Sequence, residues 1–444
     1  MHRTATATIP ADETLFEVRG LTRVEGEGSL RLRVRDGAVT EAHLEIFEAP
    51  RYFERLVVGR TGDEVLDIVA RICGICPVAY QMSAVHAFES LFDVRVTPVV
   101  RAVRRLMYCA EWIESHALHV YLLHLPDFLG YPSVVEMAGD HRPAVVQGLE
   151  LKRIGNELLA AIGGRPIHPV TVRVGGFSRL PSRTELAALR PGLERAVELA
   201  EATVDLVAGL TPPVLDRAMP LVALRPEGEY PMNEGRIVSS EGLDIAPSEW
   251  RTAFAERQVP WSNALQARTA DGRAYLLGPA ARIVLAGDRL GPRAAAALER
   301  LGGAGRIARN PHWSIAARAV ELVEATTEAL RIVDALAEFG PAASMVPWQP
   351  RAGVAAWSTE APRGLLFHRY DIDAAGRVRS AQIVPPTSQN QAAIEADLEA
   401  FAPSVLDLPH EVATARFEQL IRSYDPCISC ATHFLRLDVE EVTT

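Results

Sequence analysis

Hydrophobic and polar residues alternate with a period of two near the start of the chain. Leu30–Arg35 reads L-R-L-R-V-R, Val39–Ile46 reads V-T-E-A-H-L-E-I, and Asp36-Gly37 lies between them. This alternation is typical of strands with one buried face, and Asp-Gly is a preferred two-residue hairpin turn. The pattern therefore predicts a β-hairpin within residues 14–47.

A helical period replaces this alternation after Pro77 and continues for much of the way to residue 210. Ser182 and Glu185 form a capping box, which marks the start of one of the helices. Residues 211–280 are rich in Pro and Gly and are predicted to be irregular, with short strand-like pieces. The predicted helices cover residues 59–70, 98–125, 142–162, 182–210, 312–338 and 391–401, and the predicted strands 364–370 and 378–384. The sum is an α+β fold that is predominantly helical.

The 444 residues contain no internal repeat, low-complexity block or clear linker, so a single domain over 1–444 is predicted. The Thr- and Ala-rich start predicts a short disordered tail over residues 1–13. It lacks the apolar core of a signal peptide, and no apolar run in the chain is long enough to span a membrane. A net charge of −10 without a basic cluster argues against nucleic-acid binding. Because no export signal is evident, we expect a cytoplasmic location.

The candidate chemistry lies in two C-x-x-C pairs at opposite ends of the chain. Cys73 and Cys76 form the first pair, Cys427 and Cys430 form the second, and Cys109 is the fifth cysteine. Four thiolates suit a closed zinc site, an iron–sulfur cluster or a nickel site, and spacing alone leaves these alternatives open. A thioredoxin-like disulfide is disfavoured because there is no βαβ context.

Both cysteine pairs lie in longer motifs that resemble a known family. R-I-C-G-I-C-P-V-A-Y and D-P-C-I-S-C-A-T-H are similar to the two signature motifs of the nickel–iron hydrogenase large subunit. Further segments match in the same order over nearly the whole chain: Leu21–Gly26, Arg51–Arg60, His116–Asp127, Gly163–Pro169 and Glu360–Gly364. Within this family, the motifs resemble those of the cytoplasmic NAD(P)-linked or sulfhydrogenase-type α subunits. The resemblance implies the large-subunit fold, with a long central helix bundle and small peripheral sheets.

The resemblance also implies a cofactor and an activity. Cys73, Cys76, Cys427 and Cys430 would bind nickel, and Cys76 and Cys430 would bridge to an iron that carries carbonyl and cyanide ligands. H2 would be cleaved heterolytically there. Cys427 would take the proton and pass it to Glu25. Without the family, a surface salt bridge with Arg23 would be the simpler interpretation of Glu25.

Other residues receive supporting roles from the same resemblance. Arg363 would overhang the open coordination site, with Asp425 as its support, although an ordinary ion pair with Glu360 is the simpler alternative. Thr387 would hydrogen-bond a cyanide. Three groups would hold a second ion, Mg2+ or a second iron: Glu54, a backbone carbonyl near Gln382, and His433.

Three positions depart from the family pattern. Tyr80 and Glu27 stand where many relatives have His, and Ser115 stands where some have Asp. These changes predict altered tuning around the metals and leave the proposed ligands intact. His116, His119 and His124 are interpreted as polar contacts of a buried helix.

Partners follow from the remaining cysteine. Cys109 alone cannot build an iron–sulfur cluster, and no flavin or dinucleotide site is evident. An iron–sulfur small subunit and flavin/NAD(P) diaphorase subunits are therefore implied. Nickel-insertion proteins and a maturation protease are implied too, and the protease would remove residues 434–444.

Two rival functions complete the predictions. A zinc-stabilised scaffold would use the same four thiolates, and a Complex I-like quinone-reduction subunit would share the fold but lack the cysteine pairs.

Overall fold

The computed structural model describes residues 13–338 and 342–432. The helices are α1 Phe53–Leu56, α2 Gly62–Val69, α3 Pro77–Phe92, α4 Pro98–Ala117, α5 Leu125–Leu129, α6 Val134–Asp140, α7 Arg142–Gly163, α8 Arg183–Ala208, α9 Trp250–Ala253, α10 Pro279–Ala286, α11 Pro292–Arg300, α12 Gly303–Arg309, α13 Ser314–Glu338, α14 Pro386–Phe401, α15 His410–Ser423 and α16 Ile428–Ala431. The strands are β1 Glu13–Val18, β2 Gly28–Arg35, β3 Ala38–Ile46, β4 Val172–Arg173, β5 Gly176–Phe177, β6 Val222–Arg225, β7 Arg236–Ser239, β8 Asp244–Ile245, β9 Phe254–Arg257, β10 Gln266–Thr269, β11 Gly353–Ala361, β12 Gly364–Ile372 and β13 Val378–Val384.

Four long helices form the central bundle. Helix α13 packs against both α4 and α8, and α7 packs against α4 and α8. The second half of α4 and the first half of α13 are buried on every side, whereas α7 and α8 keep an exposed face. A helix that is buried all round belongs to the centre of a large core. The bundle therefore has α4 and α13 at its middle.

Small antiparallel sheets surround this bundle. The three-stranded sheets have the orders β1-β2-β3, β6-β7-β8 and β11-β12-β13. The predicted hairpin is confirmed as β2 and β3, with Arg35 paired to Ala38 across the turn. The predicted tail over residues 1–13 was wrong at Glu13, which opens β1 and pairs with Arg35. The rest of that tail lies outside the described residues.

Several helix boundaries differ from their predictions. The capping box of α8 is confirmed, with both Ser182 and Glu185 bonded as expected. Helix α14 begins at Pro386, five residues before the predicted start at residue 391. The prediction was late because the first turns carry buried polar residues, which hide the helical period in the sequence. The predicted helix over residues 98–125 contains a π-helical segment, Leu118–His124. Such segments insert an extra residue per turn and are common near functional sites.

One hydrophobic core connects elements from both ends of the chain. It includes Phe16 of β1 and Ala431 of α16, and all five cysteines belong to it. The cysteine pairs therefore lie in the interior. Within the described ranges, no helix combines the length and hydrophobicity that a membrane crossing requires.

Gly155 of α7 allows the close approach of α7 to α4, and its replacement by Ala should destabilise the bundle. A Cβ at Gly155 would lie 2.9 Å from the carbonyl oxygen of Ala110 and 2.9 Å from the amide nitrogen of Glu114, both in the backbone of α4. Overpacking of this kind costs about 1–3 kcal/mol of unfolding free energy, which urea denaturation would measure. Gly192→Ala is the control, because its Cβ would meet only Ile154, at 3.9 Å. Equal midpoints for the two variants would contradict the prediction.

Candidate metal centre

The four cysteines of the two C-x-x-C pairs converge in the core. Their sulfur atoms all lie within 4.8 Å of one another. The first members of the two pairs, Cys73 and Cys427, are 3.6 Å apart, and the second members, Cys76 and Cys430, are 3.7 Å apart. Each is at most 3% exposed, and none forms a disulfide. The fold therefore builds one thiol cluster from opposite ends of the chain.

The chemistry of this donor set fits a soft metal. Burial, followed by the neighbouring thiols, raises the pKa of Cys427 well above its usual value. Four like groups this close cannot all ionise without a compensating cation, and a bound metal supplies that charge as the protons leave. Thiolates suit nickel, iron and zinc rather than magnesium. The cluster by itself does not choose among these metals.

Glu25 is brought to the cluster by backbone pairing between the two ends of the chain. Its amide donates to the carbonyl oxygen of Pro426 at 3.3 Å, and its carbonyl oxygen accepts from the amide of Ile428 at 2.8 Å. Its Oε2 then lies 3.0 Å from Cys427 Sγ and accepts from the amide of Ser429 at 3.1 Å. The carboxylate and the thiol are thus in direct hydrogen-bond contact.

The simpler interpretation of Glu25, a salt bridge with Arg23, is wrong. Arg23 instead donates to Asp127 at 2.6 Å and to the carbonyl oxygen of Leu123 at 2.8 Å. Arg422 donates to the same carboxylate from the other side, at 2.8 Å. Asp127 therefore accepts hydrogen bonds from both Arg23 and Arg422, and the Glu25 carboxylate contacts the Cys427 thiol instead of Arg23.

Arg363 is buried beside the cluster and anchored by Asp425. Its Nε donates to the backbone carbonyl of Asp425 at 2.8 Å and lies 3.1 Å from the carboxylate. Burial lowers the pKa of Arg363, but Asp425 and the thiolates of Cys427, Cys76 and Cys73 raise it, and it ends well above its usual value. The guanidinium therefore stays charged. Its Nη1 has no hydrogen-bond partner within residues 13–338 and 342–432.

The alternative ion pair between Arg363 and Glu360 is replaced by another contact. Glu360 is fully buried and accepts from Arg282 at 2.9 Å. It also accepts from the amide of Leu224 at 2.7 Å. Arg363 and Glu360 are separated by only two residues in sequence, yet they pair with partners from different elements.

Thr387 lies in the first turn of α14 and contacts the second cysteine pair. Its Oγ1 accepts from the amide of Cys427 at 2.9 Å. This bond fixes the backbone of the cysteine and leaves the hydroxyl hydrogen free to donate elsewhere. The position is consistent with a role beside the metals, and the predicted cyanide contact stays a prediction.

Two of the three predicted second-ion residues lie close together. Glu54 of α1 accepts from the amide of Ile383 in β13 at 2.8 Å, which places its carboxylate one residue from Gln382. The Gln382 side chain donates from Nε2 to Glu256 at 2.8 Å, and the predicted ligand is the backbone carbonyl of this residue. The ligand role of both residues stays a prediction.

The third residue, His433, lies outside the described residues. The chain just before it is tied to the start of α1, because the amide of Arg51 donates to the carbonyl oxygen of Thr432 at 2.7 Å. The described segment therefore ends at Thr432, next to Arg51, and Arg51 lies three positions before Glu54 in the sequence.

Two positioning residues were missed from the sequence. The Nη2 atom of Arg51 donates to two backbone carbonyl oxygens, that of Ile72 at 2.6 Å and that of Ser429. Each carbonyl belongs to the residue immediately before a cysteine, so Arg51 joins the two cysteine segments. Glu111 of α4 accepts from the amides of Val78, at 2.6 Å, and Ala79, at 3.2 Å. It therefore caps α3 directly after Cys76.

A charged residue on an otherwise buried helical face is a signal that could have identified Glu111. Glu111 is fully buried, and burial raises its pKa well above the usual value despite the two amide donors. A buried carboxylate is costly unless it is paired or bonded, so its presence indicates a specific contact. The contact itself depends on a neighbouring helix and is invisible in local sequence.

Tyr80, which departs from the family pattern, is buried beside the cluster. Burial, and then the thiols of Cys430 and Cys76, raise the pKa of its phenol well above the usual value. The phenol therefore keeps its proton and offers a donor. His119 and His124 lie apart from the four thiols, and each contacts α15: His119 Nε2 is 2.7 Å from the carbonyl oxygen of Arg422, and His124 Nε2 is 3.3 Å from Ser423 Oγ.

A buried four-thiol cluster with an adjacent carboxylate and a charged guanidinium has the donor set of a metal site. The family model described as nickel-dependent hydrogenase matches residues 51–145 and 264–433. The chain belongs to this family. It is a large subunit of the nickel–iron hydrogenases and an oxidoreductase that acts on hydrogen.

Individual relatives support the same assignment. Sulfhydrogenase 1 subunit alpha of Pyrococcus furiosus is 31% identical, over 94% of this chain and 97% of that protein. Sulfhydrogenase 2 subunit alpha of the same organism is 32% identical, over 95% and 100%. The crystal structure of an NAD+-reducing [NiFe]-hydrogenase in the H2-reduced state superposes with a TM-score of 0.84 at 28% identity, over 95% and 99%. The predicted α+β fold is confirmed, and the zinc-scaffold and Complex I-like rivals are not favoured.

Proposed function

We propose that this chain, as a single large-subunit domain, cleaves H2 reversibly at a nickel–iron centre held by the four thiolates. Cys73, Cys76, Cys427 and Cys430 would bind nickel, and Cys76 and Cys430 would also bind an iron that carries carbonyl and cyanide ligands. When bound, this centre would supply heterolytic cleavage of H2, and the overall reaction releases two protons and two electrons for each H2. The observation that carries the proposal is the group of four sulfur atoms within 4.8 Å of one another, with Glu25 and Arg363 beside it.

The proton leaves along Cys427 and Glu25. The Sγ of Cys427 holds the proton first, because it is the thiol in contact with a carboxylate, at 3.0 Å from Glu25 Oε2. A donor and an acceptor at hydrogen-bond distance satisfy the geometric condition for general acid–base transfer. Glu25 is partly exposed, whereas Cys427 is buried, so the carboxylate connects the interior to the surface.

Arg363 acts as a fixed positive charge at the site. A guanidinium does not give up its proton at ordinary pH, so it can orient a ligand without joining the proton transfer. Asp425 holds it in place, with its backbone carbonyl 2.8 Å from Nε. Thr387 holds the backbone of Cys427 and would offer its hydroxyl hydrogen to a cyanide.

A second ion, Mg2+ or iron, would be held by Glu54, the carbonyl of Gln382 and His433. Oxygen ligands with retained waters are the usual environment of Mg2+. The contact of Glu54 with the amide next to Gln382 supports this placement, and the bond between Arg51 and Thr432 brings the chain before His433 to the same helix. The ion would tie the C-terminal segment to the core.

Electrons would leave through partner subunits. Of the five cysteines, only Cys109 lies outside the cluster, and a cluster with four thiolates cannot be built from it. An iron–sulfur small subunit would accept the electrons, and flavin-containing diaphorase subunits would pass them to NAD(P), as the name of the NAD+-reducing relative suggests. Nickel-insertion proteins would load the metal, and a maturation protease would then remove residues 434–444.

Metal and mass analysis of the purified native complex tests the proposal. We expect about one nickel and one iron per chain at this site, one further Mg2+ or iron, H2-dependent reduction of a dye, and a chain that ends at His433. Infrared bands of metal-bound carbonyl and cyanide would identify the iron ligands. Zinc alone, without H2-dependent activity, would contradict the proposal. An active chain that keeps all of residues 434–444 would contradict only the cleavage step.

A further inference from the structure

Arg282 of α10 is a fully buried guanidinium whose hydrogen-bonding capacity is completely used. A guanidinium has five N–H donors. Here each has an acceptor: Glu321 Oε1 and Oε2, both at 2.7 Å, Glu360 Oε2 at 2.9 Å, and the carbonyl oxygens of Ala361 at 3.0 Å and Pro362 at 2.9 Å. Its guanidinium also lies over the ring of Trp112, 4.3 Å from the centroid.

The surrounding charges are matched to this guanidinium. Burial favours the neutral form of Glu321, but Arg282 and then His116 outweigh it and bring the pKa of Glu321 to about 2. Burial raises the pKa of Glu360 to about 7 although Arg282 opposes the shift. Tyr230 donates to Glu321 at 2.7 Å. The cluster therefore joins α4, α10, α13 and β11 through one buried cation.

Stability alone does not explain such a cluster. A buried ion pair loses so much hydration that well-packed apolar residues are often at least as stable. A buried polar network that is fully satisfied can instead fix one conformation. The question is which part of the molecule this network holds in place.

The two backbone carbonyl groups that accept from Arg282, those of Ala361 and Pro362, immediately precede Arg363 of the candidate metal centre. Ala361 is the last residue of β11 and pairs with Gly364 of β12, so Pro362 and Arg363 form the tight turn between these strands. Arg282 therefore holds the two peptide groups that immediately precede Arg363.

The segment that leads into α10 also contacts this turn directly. A Cβ at Gly278 would lie 2.8 Å from the carbonyl oxygen of Arg363, and a Cβ at Gly364 would lie 2.6 Å from Cβ of Leu277. Gly278 precedes α10, and its carbonyl oxygen accepts from the amide of Arg282 at 3.0 Å. The backbone on both sides of the Arg363 Cα is thus held by α10 and the segment that leads into it.

We propose that Arg282 is a positioning residue that fixes Arg363 beside the four thiols. The side chain of Arg363 has Asp425 as its anchor, and its Nη1 makes no hydrogen bond within the described part of the chain. The position of the guanidinium therefore depends on Asp425 and on the backbone of Arg363, and Arg282 holds that backbone through Ala361 and Pro362. This inference rests on the proposed role of Arg363 at the metal centre.

Substitution of Arg282 tests the proposal in the native complex. Arg282→Lys keeps the positive charge but has only three N–H donors, so at least two of the five acceptors lose their donor. The carboxylates of Glu321 and Glu360 attract the cation more strongly than the carbonyl oxygens, so we expect the turn to lose its contacts. We expect kcat for H2-dependent dye reduction to fall about 10- to 100-fold, the range that a misplaced catalytic group costs. Nickel content should stay unchanged. Amide hydrogen exchange of the peptide spanning residues 361–366 should become faster, and this readout does not depend on activity.

Arg104→Lys is the matched control. Arg104 is also almost fully buried and donates to Glu89 from two nitrogens, at 2.7 and 2.6 Å, but its contacts lie outside the β11–β12 turn. Its replacement should affect neither kcat by more than about twofold nor the exchange of residues 361–366. Should Arg282→Lys fail to accumulate, Glu321→Gln weakens the same network more mildly and should give a smaller change in the same two readouts.

A double-mutant cycle with Arg363→Lys separates positioning from general destabilisation. If Arg282 acts through Arg363, Arg282→Lys should have little further effect on kcat once Arg363 is replaced. Additive losses, or an Arg282→Lys variant as active as Arg104→Lys, would overturn the proposal. If the unmodified complex lacks nickel and H2 activity, the proposed function fails, and the exchange measurement still reports whether Arg282 orders the turn.

Discussion

Replacement of Glu25 by Gln should lower H2 turnover by about 100- to 10,000-fold, the usual contribution of a positioned general acid or base. The amide of Gln cannot take a proton from Cys427 Sγ, which lies 3.0 Å from Glu25 Oε2. Its carbonyl oxygen can still accept from the amide of Ser429, so α16, which carries Cys430, keeps its position. Nickel content is therefore expected to stay the same. Dye reduction under H2, together with elemental analysis, measures both quantities.

Glu27→Gln is the control for this experiment. Glu27 is two residues away and exposed, and the contact that it makes is through its backbone amide to Glu48. The same loss of negative charge there should lower turnover far less than it does at Glu25, because the Glu27 side chain lies outside the proposed proton path. Loss of nickel in Glu25→Gln would show that Glu25 maintains the site rather than moving protons, and full activity would remove it from the proton path.

Replacement of Cys430 by Ser should abolish both metal binding and activity. Cys430 lies 3.7 Å from Cys76 and is one of the two thiolates proposed to bind both metals. A serine hydroxyl is a harder and far less acidic ligand, and soft metals bind it poorly. We expect less than about a tenth of the nickel of the unmodified protein and no detectable H2-dependent dye reduction.

Cys109→Ser is the matched control for that variant. Cys109 is also fully buried, but it lies in α4 outside the group of four thiols. Its replacement should lower stability slightly, because a hydroxyl enters an apolar environment, and should leave nickel content intact. A Cys430→Ser protein with stoichiometric nickel and normal turnover would contradict the proposed ligand set.

Local patterns predicted the elements that local physics determines. The Asp36-Gly37 turn and the capping box of Ser182 both involve residues within three positions of one another, and both are present as predicted. The start of α14 was predicted too late because the buried Thr387–Gln391 stretch is polar. Burial of these polar side chains leaves no hydrophobic period, and Gln389, for example, accepts hydrogen bonds from the distant Trp250 and Tyr275.

In the candidate site, too, the sequence predicted which residues take part but not which residues they contact. The motifs marked the cysteines, Glu25 and Arg363, but sequence proximity suggested the wrong ion pairs for the two charged residues. Arg23 prefers Asp127, and Glu360 prefers Arg282, and both contacts join residues at least 78 positions apart. The partner of a buried charge is the group that the fold places beside it, and local sequence does not contain that information.

The sequence by itself determined the donor atoms of the site: four thiolates, a carboxylate and a guanidinium, carried by motifs in a fixed order. Only the tertiary structure decided that Cys73 faces Cys427 and Cys76 faces Cys430, that Arg51 joins their two segments, and that Arg282 holds the turn before Arg363. The reason is physical. Donor identity is a property of single residues, whereas distance and direction depend on how helices and strands from both ends of the chain pack around one core.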